Sequence, residues 1–247
     1  MLTMTNEPSI SVRKSIRWGD DAAFEDTSTL VLTTGPRRYV DLRVYLPEKP
    51  EDGLPNADDA PALDRLEWGF AGQSKGTPAE WDGPRLVTPA HGIWTHWVDS
   101  QKPDGYEDDG FMYDQHDGLT WEKGVMEYPK TGKPTPYEEV WEDFTPAKDA
   151  AGNMIAVTLV HTETGNSAKG MVIRVGDWIQ GILRDAAGNI TVERWHYEKK
   201  ASKATEGWKR EVRIGSGELP CQRLFDLDNS TAVEGLGWTV LKDDDDL

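Results

Sequence analysis

The chain has 247 residues, 37% of them hydrophobic and 29% charged, and carries a formal net charge of −17. That charge repels phosphate backbones and sets aside general nucleic-acid binding, and no apolar run approaches the ~20 residues needed to cross a bilayer. A single cysteine, Cys221, excludes a disulfide within the chain and points to a reducing, cytoplasmic compartment.

The opening stretch MLTMTNEPSISVRKS has no apolar core and no Arg-rich, acid-poor character, so neither a secretory leader nor a transit peptide is expected. The first strands are predicted at Ile10–Trp18 and Thr29–Thr33. RYVDLRVYL (38–46) then alternates cleanly, with Val40, Leu42 and Val44 on one face and Tyr39, Asp41 and Arg43 on the other. The acidic, Pro-rich segment 47–64 reads as a long exposed loop, either a lid over a barrel mouth or an insertion without function. LEWGFAG (66–72) alternates again. HGIWTHWVDS (91–100) packs two tryptophans and two histidines into one strand, where Trp94, His96 and Val98 share a face.

Further strands are predicted at Phe111–Asp114, Leu119–Tyr128 and Tyr137–Phe144, then at Ile155–Thr162, Met171–Val175, Trp178–Arg184 and Ile190–Glu198. Trp208–Ile214 and Leu236–Leu241 complete the series. The string DAAGN occurs at 149–153 and 185–189, and its Gly and Asn suit tight hairpins. Helical signals are confined to ELPCQRLFDLDN (218–229) and a turn in KASKATEGWKR. About a dozen short strands with regular turns mean an all-β fold of barrels or sandwiches. The Pro- and Gly-rich YPKTGKPTP (128–136) falls near the midpoint. It divides the chain into two expected domains, a first barrel over 1–130 and a second over 131–247.

Familiar catalytic motifs are absent. There is no HExxH and no clustered Cys/His set, Asp114 and His116 lack a third ligand, and no metal or other cofactor is expected. There is no GxSxG, and GSGELP (215–220) lacks the setting of a phosphate loop. Cys221 sits among apolar neighbours, where a thiolate is disfavoured. The unusual resource is aromatic: 11 Trp against 5 Phe and 7 Tyr. If the Trp-bearing strand faces look into a barrel, they line a pocket rather than a simple aliphatic core. Face parity selects Trp94, Trp121, Trp178 and Gln180 as substrate-binding residues, with His96 or Tyr113 as the catalytic, polarising donor.

LEWGFAG (66–72), WVD (97–99), VWEDFTP (140–146), GDWIQG (176–181) and EGLGWTV (234–240) resemble, in this order, motifs of the fungal Hri protein family, whose namesake was named for an interaction with a casein kinase. The resemblance spans about residues 10–241. It implies two lipocalin-like antiparallel β-barrels with few short helices, in the cytosol, and supplies no catalytic residue. Two departures stand out: Gly69 replaces the first alanine of the usual EWAFAG, and the 47–64 loop is long. The chain is also similar in size and kind to lipocalin-like double barrels that act as pericyclases in fungal pathways. In these, an intermolecular hetero-Diels–Alder reaction joins a tropolone quinone methide to humulene, giving tropolone sesquiterpenoids. The resemblance therefore implies hydrophobic small-molecule substrates and a cofactor-independent reaction. The alternatives are a noncatalytic protein that binds a kinase, another protein or a second copy of itself, and a passive carrier of lipophilic ligands.

Overall fold

A computed structural model describes residues 7–58, 61–114, 117–162, 168–199, 207–226, 237–245 and 247. Ten strands form its first part: β1 (Ser9–Trp18), β2 (Thr27–Thr33), β3 (Arg38–Tyr45), β4 (Leu66–Thr77), β5 (Glu80–Asp82), β6 (Arg85–Thr88), β7 (Ala90–Asp99), β8 (Glu107–Asp114), β9 (Leu119–Tyr128) and β10 (Lys133–Phe144). Eight of them close into a barrel in the order β1-β10-β9-β8-β7-β4-β3-β2, while β5 and β6 form a separate small hairpin. Every neighbouring pair in the barrel is antiparallel. The second part holds β11 (Ala156–Thr162), β12 (Lys169–Val175), β13 (Trp178–Arg184), β14 (Ile190–Glu198), β15 (Gly207–Ile214) and β16 (Trp238–Leu241). These form a six-stranded sheet in the order β15-β14-β13-β12-β11-β16.

The all-β class is as the strand pattern predicts. The second unit differs from the expected barrel, because among the described residues its sheet stays open. Position 130/131 falls between two paired strands of the closed barrel. YPKTGKPTP is the β9–β10 turn, closed by the Thr131 and Gly132 amides donating to the Tyr128 carbonyl (3.0 and 2.8 Å). Its strand β10 pairs with β9 and β1 and closes the first barrel. The crossover to the second sheet is the segment between Phe144 and Ala156, which contains the first DAAGN. There the Asp149 carboxylate accepts the Ala151 and Asn153 amides (2.9 and 2.8 Å). Asp185 holds Ala187 and Asn189 in the same way in the β13–β14 hairpin. The helical signal at 218–229 yields one 3-10 turn, Pro220–Leu224. Residues 200–206, where a turn is predicted, lie outside the described residues, as do 227–236.

The main apolar core lies between the barrel and the sheet, not inside the barrel. Val40, Leu42 and Val44 point outward from β3 into one cluster with Met171, Ile173, Ile182, Val192, Val212 and Ile214. The two sheets therefore share this core. Polar contacts stitch the same layer. Gln180 donates to the Leu30 and Val40 carbonyls (2.9 and 3.2 Å) and accepts the Arg194 Nε (2.7 Å). Arg194 in turn reaches the carbonyls of Ser28 and Leu42 (3.1 and 2.9 Å). Burial lowers its guanidinium pKa to about 10.

The 47–64 loop is docked, through its described residues, on the second sheet. It crosses to the second sheet and lies along the exposed edge of β15. Arg213 and Gly215 donate backbone N–H groups to Pro55 and Pro61 (2.7 and 2.8 Å), and the Arg210 guanidinium grips Asn56 and Asp58 (both 2.7 Å). An uncovered edge strand is a template for pairing with another chain, and this loop blunts it. The acidic terminus is tethered too: buried Arg38 donates to the carbonyls of Lys242 (2.8 Å) and Asp245.

Candidate functional site: the barrel lumen

Because the outer wall of the barrel meets the second sheet, strand alternation turns the polar faces inward. β3 shows this directly. With Val40, Leu42 and Val44 in the inter-sheet core, Tyr39, Asp41 and Arg43 must point into the lumen. The lumen is crossed midway by a charged layer. Arg13 and Arg43 both donate to Glu139 Oε1 (2.6 and 3.3 Å), Arg43 also holds Asp41 Oδ2 (3.0 Å), and Arg13 holds Glu25 (2.8 Å). Burial opposes charge on Arg43, but Asp41, Glu139 and Glu67 outweigh it and raise its pKa well above the usual value.

On one side of this layer lies a cavity of about 220 Å³. Its walls include Tyr39, Phe70, Trp94, Met112 and Trp141, with the polar groups Asp41, Arg43, Asp108 and Glu122 among them. Ser9, Ser11, Thr33 and Arg37 also line it and are half-buried, which marks this side as its mouth. Glu122 is the chemical centre. Burial, reinforced by Glu139, pushes its carboxyl up to about 8, against a hydrogen bond from the Tyr137 hydroxyl (2.7 Å). Asp108 is raised to about 6, chiefly by burial, with Arg43 opposing and Glu139 assisting. At neutral pH Glu122 and Asp108, on adjacent strands, thus form a pair of one carboxylic acid and one carboxylate among the acidic groups of the lining. Pairs of acids whose environments push their pKa values apart are the usual source of separate acid and base roles. Two buried atoms here have no hydrogen-bond partner, the donor Nε1 of Trp141 and the acceptor Oδ1 of Asp41.

Glycine makes the room. A Cβ on Gly124 would stand 2.6 Å from Tyr137 Cε1, and one on Gly110 would stand 2.8 Å from Glu122 Cγ and Oε1. The absence of side chains at these two strand positions lets the Glu122–Tyr137 pair lie flat against the wall. Gly92 serves Trp94 likewise, since a Cβ there would lie 2.6 Å from the indole Cη2.

Of the residues chosen by face parity, Trp94 lines this cavity. His96 is fully buried but does not line it. It stacks on Phe70 (4.2 Å between centroids, 12°), and its Nδ1 lies 2.5 Å from Asp99 Oδ2, while Nε2 has no partner. A bulge explains the strand. The register jumps from Ala71–Val98 to Gly72–His96, so Trp97 is skipped. Trp94 and His96 face the barrel interior, whereas Trp97 and Val98 both join the inter-sheet core.

The remaining choices lie outside this cavity. Tyr113 and Trp121 face each other across β8 and β9 with Lys123 over both rings (5.5 and 4.9 Å), on the outer face, since Met112, Thr120 and Glu122 take the inner one. Trp178 belongs to the second sheet and stacks on His196 (4.1 Å, 19°). Gln180 is the inter-sheet staple described above. The residues that sequence reasoning missed are Glu122, Asp108, Arg43, Tyr137 and Trp141. For Arg43 alone the signal was present in RYVDLRVYL, whose aliphatic face suits a second sheet and leaves the charged face for a lumen. Among the described residues no group of three His, Cys, Asp or Glu side chains is arranged to hold a metal ion, and His116 lies outside them. No helix among these residues is long and apolar enough to cross a membrane. Cys221 is buried, and burial followed by Glu193 raises its thiol pKa well above the usual value.

A family model described as Protein HRI1 matches residues 9–242. The solved structure of the uncharacterized protein YLR301w from Saccharomyces cerevisiae is similar, with a TM-score of 0.62 and 19% sequence identity, covering 86% of this chain and 89% of that one. At that identity the likeness speaks to fold alone. No curated protein matches the chain.

Proposed function

The chain belongs to the Protein HRI1 family, and from that premise we propose that it is a cofactor-independent hetero-Diels–Alderase of the cytosol whose reaction chamber is the Glu122 cavity. The observation that carries this reading is the acid–carboxylate pair, Glu122 and Asp108, set among Trp94, Trp141 and Phe70 in one lumen. The guest is a flat conjugated enol bearing a hydroxymethyl group, the tropolone precursor of a quinone methide. Glu122 protonates the departing hydroxyl, Asp108 takes the enol proton, and the C–O bond breaks as water leaves. The resulting heterodiene closes onto an alkene of humulene, forming one C–C and one C–O bond with no atom lost. The proton gained by Asp108 then passes to Glu122, by exchange with solvent at the mouth, and restores both carboxyls to their starting states.

The cavity suits the flat guest alone, at about 220 Å³, and the hydrocarbon occupies the mouth. The unpartnered Trp141 N–H and the Arg43 guanidinium lie on the lining, where they can donate to a carbonyl and stabilise developing charge. Holding the reactants face to face contributes up to roughly 7–11 kcal/mol in the most favourable cases. Incubation with humulene and the hydroxymethyl precursor is the test. Enantioenriched product is expected from the native chain, and a roughly 10²–10⁴-fold loss from Glu122→Gln. Product formed at the background rate as a racemate defeats the reading.

A noncatalytic role in binding a protein partner is favoured by one feature, the β5–β6 hairpin, which projects Trp81 and Val87 with 45% and 56% exposure. Cross-linking from a photoreactive residue at position 81, with cycloaddition absent, selects that role. A carrier shares the lumen and is separated from a catalyst by product analysis.

A further inference from the structure

The barrel has a second cavity, of about 310 Å³, at its other end. Among the described residues only Arg43 lines both cavities, so the charged layer divides them. This second cavity has the chemistry of a cation site. Trp18 and Tyr128 stack at 4.9 Å and 11°, with Phe24, Trp68 and Tyr106 around them. The chain's own ammonium groups already rest over these rings. Lys130 Nζ is 5.7 Å from the Phe24 centroid and 5.6 Å from that of Tyr128, and Lys102 Nζ is 5.6 Å from that of Tyr106. Such geometry is attractive because the face of an aromatic ring is negative.

The floor adds an unmet acceptor. Between Arg43 and Val44 the β3–β4 register jumps from Trp68 to Leu66, leaving Glu67 as the bulged residue. Glu67 and Trp68 both line the cavity, and the buried Glu67 Oε2 has no hydrogen-bond partner. The two guanidinium groups on this floor are already engaged, Arg13 by Glu139 and Glu25 and Arg43 by Asp41 and Glu139. An anion would therefore have to compete with internal carboxylates, whereas a cation meets Glu67 directly. Of the other charged lining residues Asp26 and Glu127 add to this preference, while Lys102 and Lys130 are the internal ammonium groups that an incoming cation must displace.

We propose that this cavity binds a small organic ammonium ion, a primary or methylated amine with a compact apolar body, whose charge faces Glu67 and whose body lies against the Trp18–Tyr128 pair in place of Lys130. The site is separate from the Glu122 cavity and stands whether or not that cavity catalyses anything.

The experiment titrates the full chain with choline, with butylamine, and with 3,3-dimethylbutan-1-ol, the neutral counterpart of choline, using calorimetry and Trp fluorescence. Choline and butylamine should bind at least tenfold more tightly than the alcohol. Glu67→Gln should weaken them at least tenfold. Glu122→Gln, at the other end of the barrel, should leave them unchanged. Lys130→Met alters an exposed side chain and tests the idea even where the Glu67 variant folds poorly. Removing the internal competitor should tighten choline severalfold. Equal binding of the neutral alcohol, indifference to both Glu67→Gln and Lys130→Met, or loss on Glu122→Gln instead would overturn the proposal.

Discussion

Replacing Glu122 with Gln isolates the free energy stored in a buried acid. Glu122 keeps its proton in the folded chain to about pH 8, against an ordinary value of 4.5. Between those values the folded state binds more protons than the unfolded one, so stability falls as pH rises. Asp108, raised from 3.8 to about 6, contributes a similar decline that ends near pH 6. From pH 6 to pH 8 the remaining slope attributable to this pair belongs to Glu122. At 1.36 kcal/mol per pH unit it amounts to about 3 kcal/mol. Gln copies the shape of the neutral acid and still accepts from Tyr137, but it does not titrate. Asp41 and Glu67, also raised chiefly by burial, are common to both proteins and cancel in the comparison. Urea unfolding at pH 6, 7 and 8 should therefore show the native chain weakening and the Gln variant holding about 3 kcal/mol more of its stability across the interval. For a chain of this size that corresponds to roughly 6–12 °C in melting temperature. Parallel declines in the two proteins would refute a protonated Glu122.

Gly124→Ala should push the Tyr137 ring off Glu122, since the new Cβ falls 2.6 Å from Tyr137 Cε1. Overpacking of this kind costs about 1–3 kcal/mol, read by urea unfolding, and the pH 6–8 slope should change with it. Arg13→Met leaves Glu139 and Glu25 short of a buried partner, and a loss of about 3–5 kcal/mol is expected, partly recovered when Glu139→Gln is added in a double-mutant cycle. Arg210→Ala releases Asn56 and Asp58 from the edge of β15. Hydrogen exchange at the Arg213 and Gly215 amides should quicken severalfold while the β12 and β13 amides keep their protection.

Local chemistry was legible in the sequence, and the choice of faces was not. Both DAAGN strings form the same turn because an Asp carboxylate two and four residues ahead of free amides fixes it without reference to the rest of the fold. Strand positions followed from alternation. Alternation cannot say which face looks inward when both faces are buried, and β3 is buried from Arg38 through Val44. On β9 the rule that puts apolar side chains inside selects Trp121, whereas the barrel takes Thr120 and Glu122. Bulges at Trp97 and Glu67 then broke parity within single strands, and nothing local announces them.

The inversion has one physical source. This barrel draws its apolar stabilisation from the layer shared with the second sheet, where Leu32, Val40, Leu42, Val44, Ile173 and Ile182 are wholly removed from water. Burial on that scale lets the lumen keep groups that a barrel relying on its own interior could not hold, because each unpaired buried charge costs several kcal/mol. The second sheet and the acidic lumen are thus linked. Loosening the inter-sheet core should be felt first in the Glu122 cavity, whose wall strands β3 and β4 are the ones that core clamps from outside.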